Sequence, residues 1–174
     1  MNVIKDFQFK SQCYYNRQDA VSVLKVLLKD GSSAVVLYRI AQFFRSIGLG
    51  FMGVVFLELN KFFNGCVIGR GAWFDDGFVL MHPIGVVING GVKGGKNIVI
   101  ESGVVIGAAK NGEPVKVPTL GNDIFIGAGA KVLGGISIGN NVKIGANAVV
   151  VKDVPNGATV VGIPAKIVNL EGNP

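Results

Sequence analysis

A single histidine, His82, and two distant cysteines, Cys13 and Cys66, are all the imidazole and thiol this chain of 174 residues contains. One His and two separated Cys cannot fill a tetrahedral zinc site, so no metal is expected. Two cysteines make no disulfide framework, which fits a reducing, cytoplasmic setting. Long runs of one charge are also missing. The net charge is +6, but the basic residues are scattered, so no nucleic-acid partner is expected. An anionic small molecule or a membrane surface suits that charge better. The most apolar run, Ile47 to Leu57, is too short to span a bilayer, which needs about 20 residues. Lys5 and Lys10 have no apolar segment behind them, so no secretory signal is read. No Gly-x-Ser-x-Gly elbow and no Walker sequence occur. GGVKGGK at 90–96 lacks the Ser/Thr and the helix of a phosphate loop and reads as turns.

What the chain does have is glycine, 26 residues of it, and an apolar share of 49%. The two are ordered by a period of six. Ile68, Phe74, Leu80, Val86, Val92, Ile98 and Val104 form one apolar series; Leu120, Ile126, Val132, Ile138, Ile144 and Val150 form a second. Gly, Asn, Asp and Lys fill the places between. A hexapeptide repeat is the signature of a parallel β-helix. Each hexad gives a short strand and a tight turn, three hexads make a triangular coil, and the sixth-place side chains stack inward. Gly and Asn serve turns that need positive φ or have no room for a Cβ. Val104 to Leu120 breaks the frame, and the polar stretch between reads as a loop thrown out of the coil at 107–119. Such loops commonly carry function.

Ahead of the repeat, residues 1–18 read as irregular or a short helix. Asp19 is placed to cap a helix that Gly31 closes. Ser32 or Ser33 can cap a second, apolar on the face of Val36, Leu37, Ile40, Phe43 and Phe44 and ending at Gly48. A third covers Met52–Phe63, stopped by Asn64 and Gly65. These helices are expected to cap the first coil, with peripheral membrane contact as the alternative. Pro164 is expected to stop strand pairing. The division is then 1–65, a helical segment; 66–168, the β-helix with its inserted loop; and 169–174, a tail.

His82, in VLMHPIG, falls at or near a coil corner. A neutral imidazole can take a proton from a hydroxyl at neutral pH. Asp75, Asp76, Glu101 or a backbone carbonyl is the expected partner orienting it. Trp73 either covers an acceptor site or packs on the helices.

The segments LYRIAQFF, FVLMHPIGVVING, VVIGAAKNG, IFIGAGAKVLGGISIGNNVKIGANAVVVKDVP and VVGIPAKIV resemble the left-handed β-helix acyltransferases, in the serine-acetyltransferase-like branch. The resemblance implies the left hand and a homotrimer, with acetyl-CoA between adjacent coils. It also implies that His82 is the general base that deprotonates an acceptor hydroxyl. Gly127, Ala128 and Ala146 match cofactor-contacting turns, and Lys143 and Lys166 are partners for the cofactor's phosphates. The departures matter as much. Where serine acetyltransferases carry an acid before the histidine, this chain has Met81. Where they carry an acid at the start of the first coil, it has Val67, and in place of a second histidine it has Val117, although Lys116 keeps the neighbouring positive charge. Three polar contacts for an amino acid have become apolar. With Met81, Lys116, Val117, Trp73 and Asp75 as acceptor-site candidates, the expectation is an acetyl-CoA-dependent O-acetyltransferase acting on a sugar hydroxyl, closest in form to enzymes of surface-polysaccharide biosynthesis. The alternatives are a serine O-acetyltransferase and a non-catalytic trimeric scaffold.

Overall fold

The computed structural model describes residues 3–109 and 115–170, so part of the 107–119 loop and the end of the tail lie outside the described residues. Among the described residues, fifteen strands form three sheets. The first contains β1 (Val67–Ile68), β4 (Val87–Ile88), β7 (Val105–Gly107), β10 (Lys131–Leu133) and β13 (Val149–Val150). The second contains β2 (Trp73–Phe74), β5 (Lys93–Gly94), β8 (Thr119–Leu120) and β11 (Ser137–Ile138). The third contains β3 (Phe78–Leu80), β6 (Ile98–Ile100), β9 (Ile124–Ile126), β12 (Lys143–Ile144), β14 (Ala158–Val161) and β15 (Lys166–Leu170). All pairs are parallel except the last, so successive strands visit the three faces of a prism in turn. This is the hexapeptide β-helix that the period dictates.

Every residue of the two apolar series is buried. The strand register nevertheless shows that the first series is not in one phase. Val67 pairs with Val87, a step of 20 residues, whereas Val87 pairs with Val105 and Lys131 with Val149, steps of 18. The two extra residues fall between Leu80 and Ile88, in the corner that contains His82. Val86, Val92, Ile98 and Val104 are therefore inward at a second position, two places ahead of Ile88, Gly94, Ile100 and Ile106. Both positions face the core, so the six-residue period survives the slip. A second slip, the step of 26 from Val105 to Lys131, is the inserted loop.

Packing along the column is complementary rather than uniform. Gly94 is registered over Phe74, and a Cβ there would stand 2.4 Å from the Phe74 ring. The glycine makes the room that the aromatic fills. One corner needs left-handed backbone at every level: Gly77, Asn97, Asp123 and Asn141 all have positive φ, and the Asn97 amide donates to Asp123 Oδ1 at 2.8 Å. Short polar side chains tolerate that conformation because they hydrogen-bond locally.

The N-terminal segment is more regular than its sequence suggests. Of the two readings of residues 1–18, irregular or a short helix, the helix holds, as the 13-residue α1 (Val3–Tyr15); α2 (Ala20–Leu27), α3 (Ser32–Ser46) and α4 (Gly50–Asn64) follow. Asp19 caps α2 by accepting from the Val21 and Ser22 amides, and Gly65, in left-handed backbone, ends α4. Gly31 does not close α2, which stops at Leu27. It stands in left-handed backbone just before α3. Neither Ser32 nor Ser33 caps α3; Ser32 Oγ instead donates to the Val26 carbonyl.

α1 and α3 are fastened to the coil by a buried polar cluster that no sequence pattern announces. Arg39 on α3 forms a two-pronged pair with Asp6 on α1, at 2.7 and 2.8 Å. Its remaining donors go to Gln42 Oε1 and to the carbonyls of Phe74 and Asp75, and Asp6 Oδ1 also accepts from the amides of Gly77 and Phe78. Both buried charges are thus hydrogen-bonded beyond their own pair, which a buried ion pair requires. Cys13 and Cys66 are free thiols, as expected, the first exposed and the second buried. Among the described residues no helix is long and apolar enough to cross a membrane.

The C-terminal expectation needs correction. Pairing continues past Pro164: β15 turns back and runs antiparallel to β14. A reversal frees the strand from the coil frame, so the proline only marks the turn.

Candidate active site

The corner that follows the third sheet is built from Met81–Gly85 in the first coil and repeats above at Glu101–Gly103, Gly127–Gly129 and Gly145–Asn147. The repeats are tied to one another: the Met81 amide donates to Ile100 O, Glu101 to Ile126 O, Gly127 to Ile144 O, and Asn147 to Ala128 O. With strands about 4.8 Å apart, Ala128 is roughly 10 Å above His82 along the prism. His82, Gly127, Ala128 and Ala146 thus share one edge. Small side chains at the upper three positions leave the backbone reachable, and a Cβ on Gly127 would press on Ala146 N at 2.7 Å. Lys143 and Lys166 are exposed on β12 and β15 of the adjoining face. This edge offers a ligand accessible backbone at small residues and, on the adjoining face, two exposed lysines.

His82 projects from the enlarged corner with its side chain 55% exposed. Nδ1 lies 3.2 Å from Oδ2 of Asp30. Asp30 belongs to the turn between α2 and α3. The expected partners are elsewhere. Asp75 accepts from Trp73 Nε1 at 3.3 Å, and Asp76 binds Lys5 at 2.8 Å. Glu101 is on the right edge, one coil higher, but is not the carboxylate that meets the imidazole.

The Asp30 turn is itself pinned. Lys10 of α1 is buried, and its ammonium donates to the Asp30 carbonyl, to Ser32 Oγ at 2.9 Å and to the Leu80 carbonyl at 3.3 Å. Three donors meet three acceptors. Burial lowers the lysine from 10.5 to about 8, against a smaller upward pull from the Asp30 charge. Below about pH 8 both folded and unfolded chains hold the proton, and the cost of burying the charge is present in full. Between about 8 and 10.5 the unfolded chain retains it while the folded chain releases it, so this site's contribution to stability rises with pH. Urea midpoints of the native chain minus those of Lys10→Met should therefore climb across that window and stay level below it. A difference that is level throughout refutes the linkage.

A hollow of about 370 Å³ adjoins His82, walled by Leu27, Leu28, Phe63 and Ile84, with Lys29 and Asp30 as its charged groups. It is not the largest in the molecule. One of about 670 Å³ separates the α3–α4 pair from the first coil, and no part of the His82 corner lines it. The chemistry, not the size, selects the smaller.

The other acceptor-site candidates are not brought to His82 within one chain. Met81 is, by sequence adjacency, and is half buried. Trp73 and Asp75 stand at the far end of β3, where they line a separate hollow with Arg39, Asp76 and Lys96. Lys116 and Val117 lie at a third corner, between the first and second sheets, close over Gly135 and Gly91. Among the described residues no cluster of His, Cys, Asp or Glu is arranged to hold a metal.

Residues 118–152 match the family profile described as bacterial transferase hexapeptide (six repeats). The serine acetyltransferase of Bacillus pumilus is 38% identical over 147 residues, 84% of this chain and 68% of that protein. That of Helicobacter pylori strain J99 is 39% identical over 146 residues, 84% of this chain and 85% of its own length. Among solved structures, the Neisseria gonorrhoeae serine acetyltransferase superposes with a TM-score of 0.84 at 31% identity, covering 98% of this chain and 66% of that one. A Brucella abortus serine acetyltransferase in complex with coenzyme A gives 0.85 at 26% identity, covering 98% and 68%. The chain spans about two thirds of the length of these structures. The expected closeness to enzymes of surface-polysaccharide biosynthesis is not supported, because these relatives are serine acetyltransferases. The stacked corners with their left-handed coil and the shared sequence agree, and the chain belongs to the serine acetyltransferase family of hexapeptide-repeat acyltransferases.

Proposed function

We propose that the chain is an acetyl-CoA-dependent serine O-acetyltransferase with His82 as its general base. One observation carries this reading: the only histidine in the chain stands on the same prism edge as the small-residue turns of Gly127, Ala128 and Ala146. The Nε2 lone pair of His82 accepts the proton of the serine hydroxyl as its oxygen attacks the thioester carbonyl. The tetrahedral intermediate collapses, the carbon–sulfur bond breaks, and the proton held by His82 passes to the departing thiolate of coenzyme A. Oxygen gains the acetyl group and sulfur gains the proton.

We further infer a homotrimer. Within one chain the base and the Lys116–Val117 segment occupy different corners, so one copy cannot put both beside the same acceptor. A second coil lying alongside the first can bring its loop corner to the neighbour's His82 corner. Lys116, Val117 and the described ends of the 107–119 loop then wall the acceptor from across the boundary, and a third copy closes the ring.

A second reading, a neutral sugar hydroxyl, is favoured by Met81 and Val117, where an amino acid's charges would need polar partners. A site that leaves such charges unanswered discriminates poorly in favour of the charged substrate. Thiol release from acetyl-CoA, measured against L-serine and a panel of neutral sugars, is expected to show turnover with serine at the higher kcat/KM. Turnover with sugars alone overturns the serine assignment. No turnover, with no acetyl-CoA binding by calorimetry, points to a scaffold.

A further inference from the structure

We propose that Asp30, supplied by the helical segment and not by the coil, is the positioning residue that fixes the tautomer of His82, and that Lys10 holds it in place. The inference rests on His82 being the base. No acid of the coil meets the ring: the residue opening the first coil is Val67, Asp75 and Asp76 are engaged at the other end of β3, and Glu101, one coil higher on the same edge, is not the carboxylate that contacts Nδ1. The carboxylate that does reach Nδ1 comes from 52 residues earlier in the chain.

The geometry sets the role. A carboxylate only accepts, so Nδ1 must carry the proton that points at Asp30 Oδ2, and Nε2 is left with a lone pair able to take a proton. When Nε2 takes the acceptor's proton, the imidazolium that forms faces a negative charge. The pair is exposed, 55% and 74% for the two side chains, so Coulomb attraction alone holds it weakly. What holds it is the backbone. Lys10 ties the Asp30 carbonyl to the carbonyl of Leu80, two residues before His82, so donor and acceptor are mounted on one buried ammonium. This also means that changing the Asp30 side chain leaves the turn anchored.

Because the chain has one histidine, nitrogen-15 NMR of the imidazole reads this site without assignment. Native protein is expected to show the Nδ1–H form. In Asp30→Ala the Nε2–H form should gain population, and kcat should fall about tenfold with KM little changed, the loss of one charge-assisted hydrogen bond at an exposed site. Asp30→Asn, which keeps size but removes the charge, should fall with it. Unchanged tautomer populations in Asp30→Ala overturn the proposal, as does an effect confined to KM, which would make Asp30 an acceptor-binding residue. If instead His82→Ala keeps its activity, it is the base assignment that fails, and the tautomer shift still reports the Asp30 contact on its own.

Discussion

His82→Ala is expected to lower kcat by about 10²–10⁴-fold, the usual contribution of a positioned general base. Thermal stability should hardly move. The side chain is 55% exposed, and among the described residues its polar partner is an exposed carboxylate. Substitutions of that kind usually stay within about 0.5 kcal/mol. Acetyl-CoA binding should also persist, because the small-residue turns that would contact the donor lie two and three coils above. Steady-state kinetics, a melting curve and calorimetry with acetyl-CoA check the three parts. A variant that retains most of its turnover means that the proton goes elsewhere. A variant that loses turnover together with its fold says nothing for catalysis and contradicts the exposed placement of the ring.

The largest effect on folding is expected from Val132→Asp. Val132 is fully buried in the fourth of the five strands of the first sheet, registered between Ile106 and Val150. An ionised carboxylate there has no water and no partner. It would be neutralised instead, still at a cost of several kcal/mol. Domains of this size are stable by only about 5–15 kcal/mol, and the defect sits where coils above and below both lean on it. The variant should lack a cooperative urea transition and its β-sheet circular dichroism. Val132→Ala provides the contrast: two methyl groups at about 0.8 kcal/mol each, plus a cavity, leave a folded but weakened protein. A soluble, cooperatively folding Val132→Asp contradicts the inward register.

The coil was legible because its period is local. Thirteen apolar residues in sixth place are each read from neighbours a few positions away, and all are buried. The same locality found the Asp19 cap and the Gly65 stop. It misplaced the phase of the first series, because two inward positions per hexad let Val86 stand in for Ile88 without any apolar residue being lost. It also put His82 at a corner, but could not find Asp30. No spacing rule links a turn between two helices to a coil 52 residues later; only the docking of α1 through Lys10, and of α1 and α3 through Asp6 and Arg39, joins them. Asp75 and Glu101 were plausible partners by proximity in sequence, and β3 and the coil rise carry them away from the ring. The sugar-acceptor expectation rested on Met81, Val67 and Val117, single positions whose changed polarity weighed more in the reading than the kinship of the whole chain.

The hairpin of β14 and β15 has a consequence for solubility. A stack of parallel rungs is a template, and its last rung offers amides and carbonyls to any like chain. Here the return segment occupies them on two faces: Ala165 donates to Val149, and β15 runs against β14 in the opposite sense. An incoming coil would meet a reversed strand carrying Lys166 where it needs a parallel one. Growth end to end into a fibre is thereby shut off at this pole, while the helices guard the other.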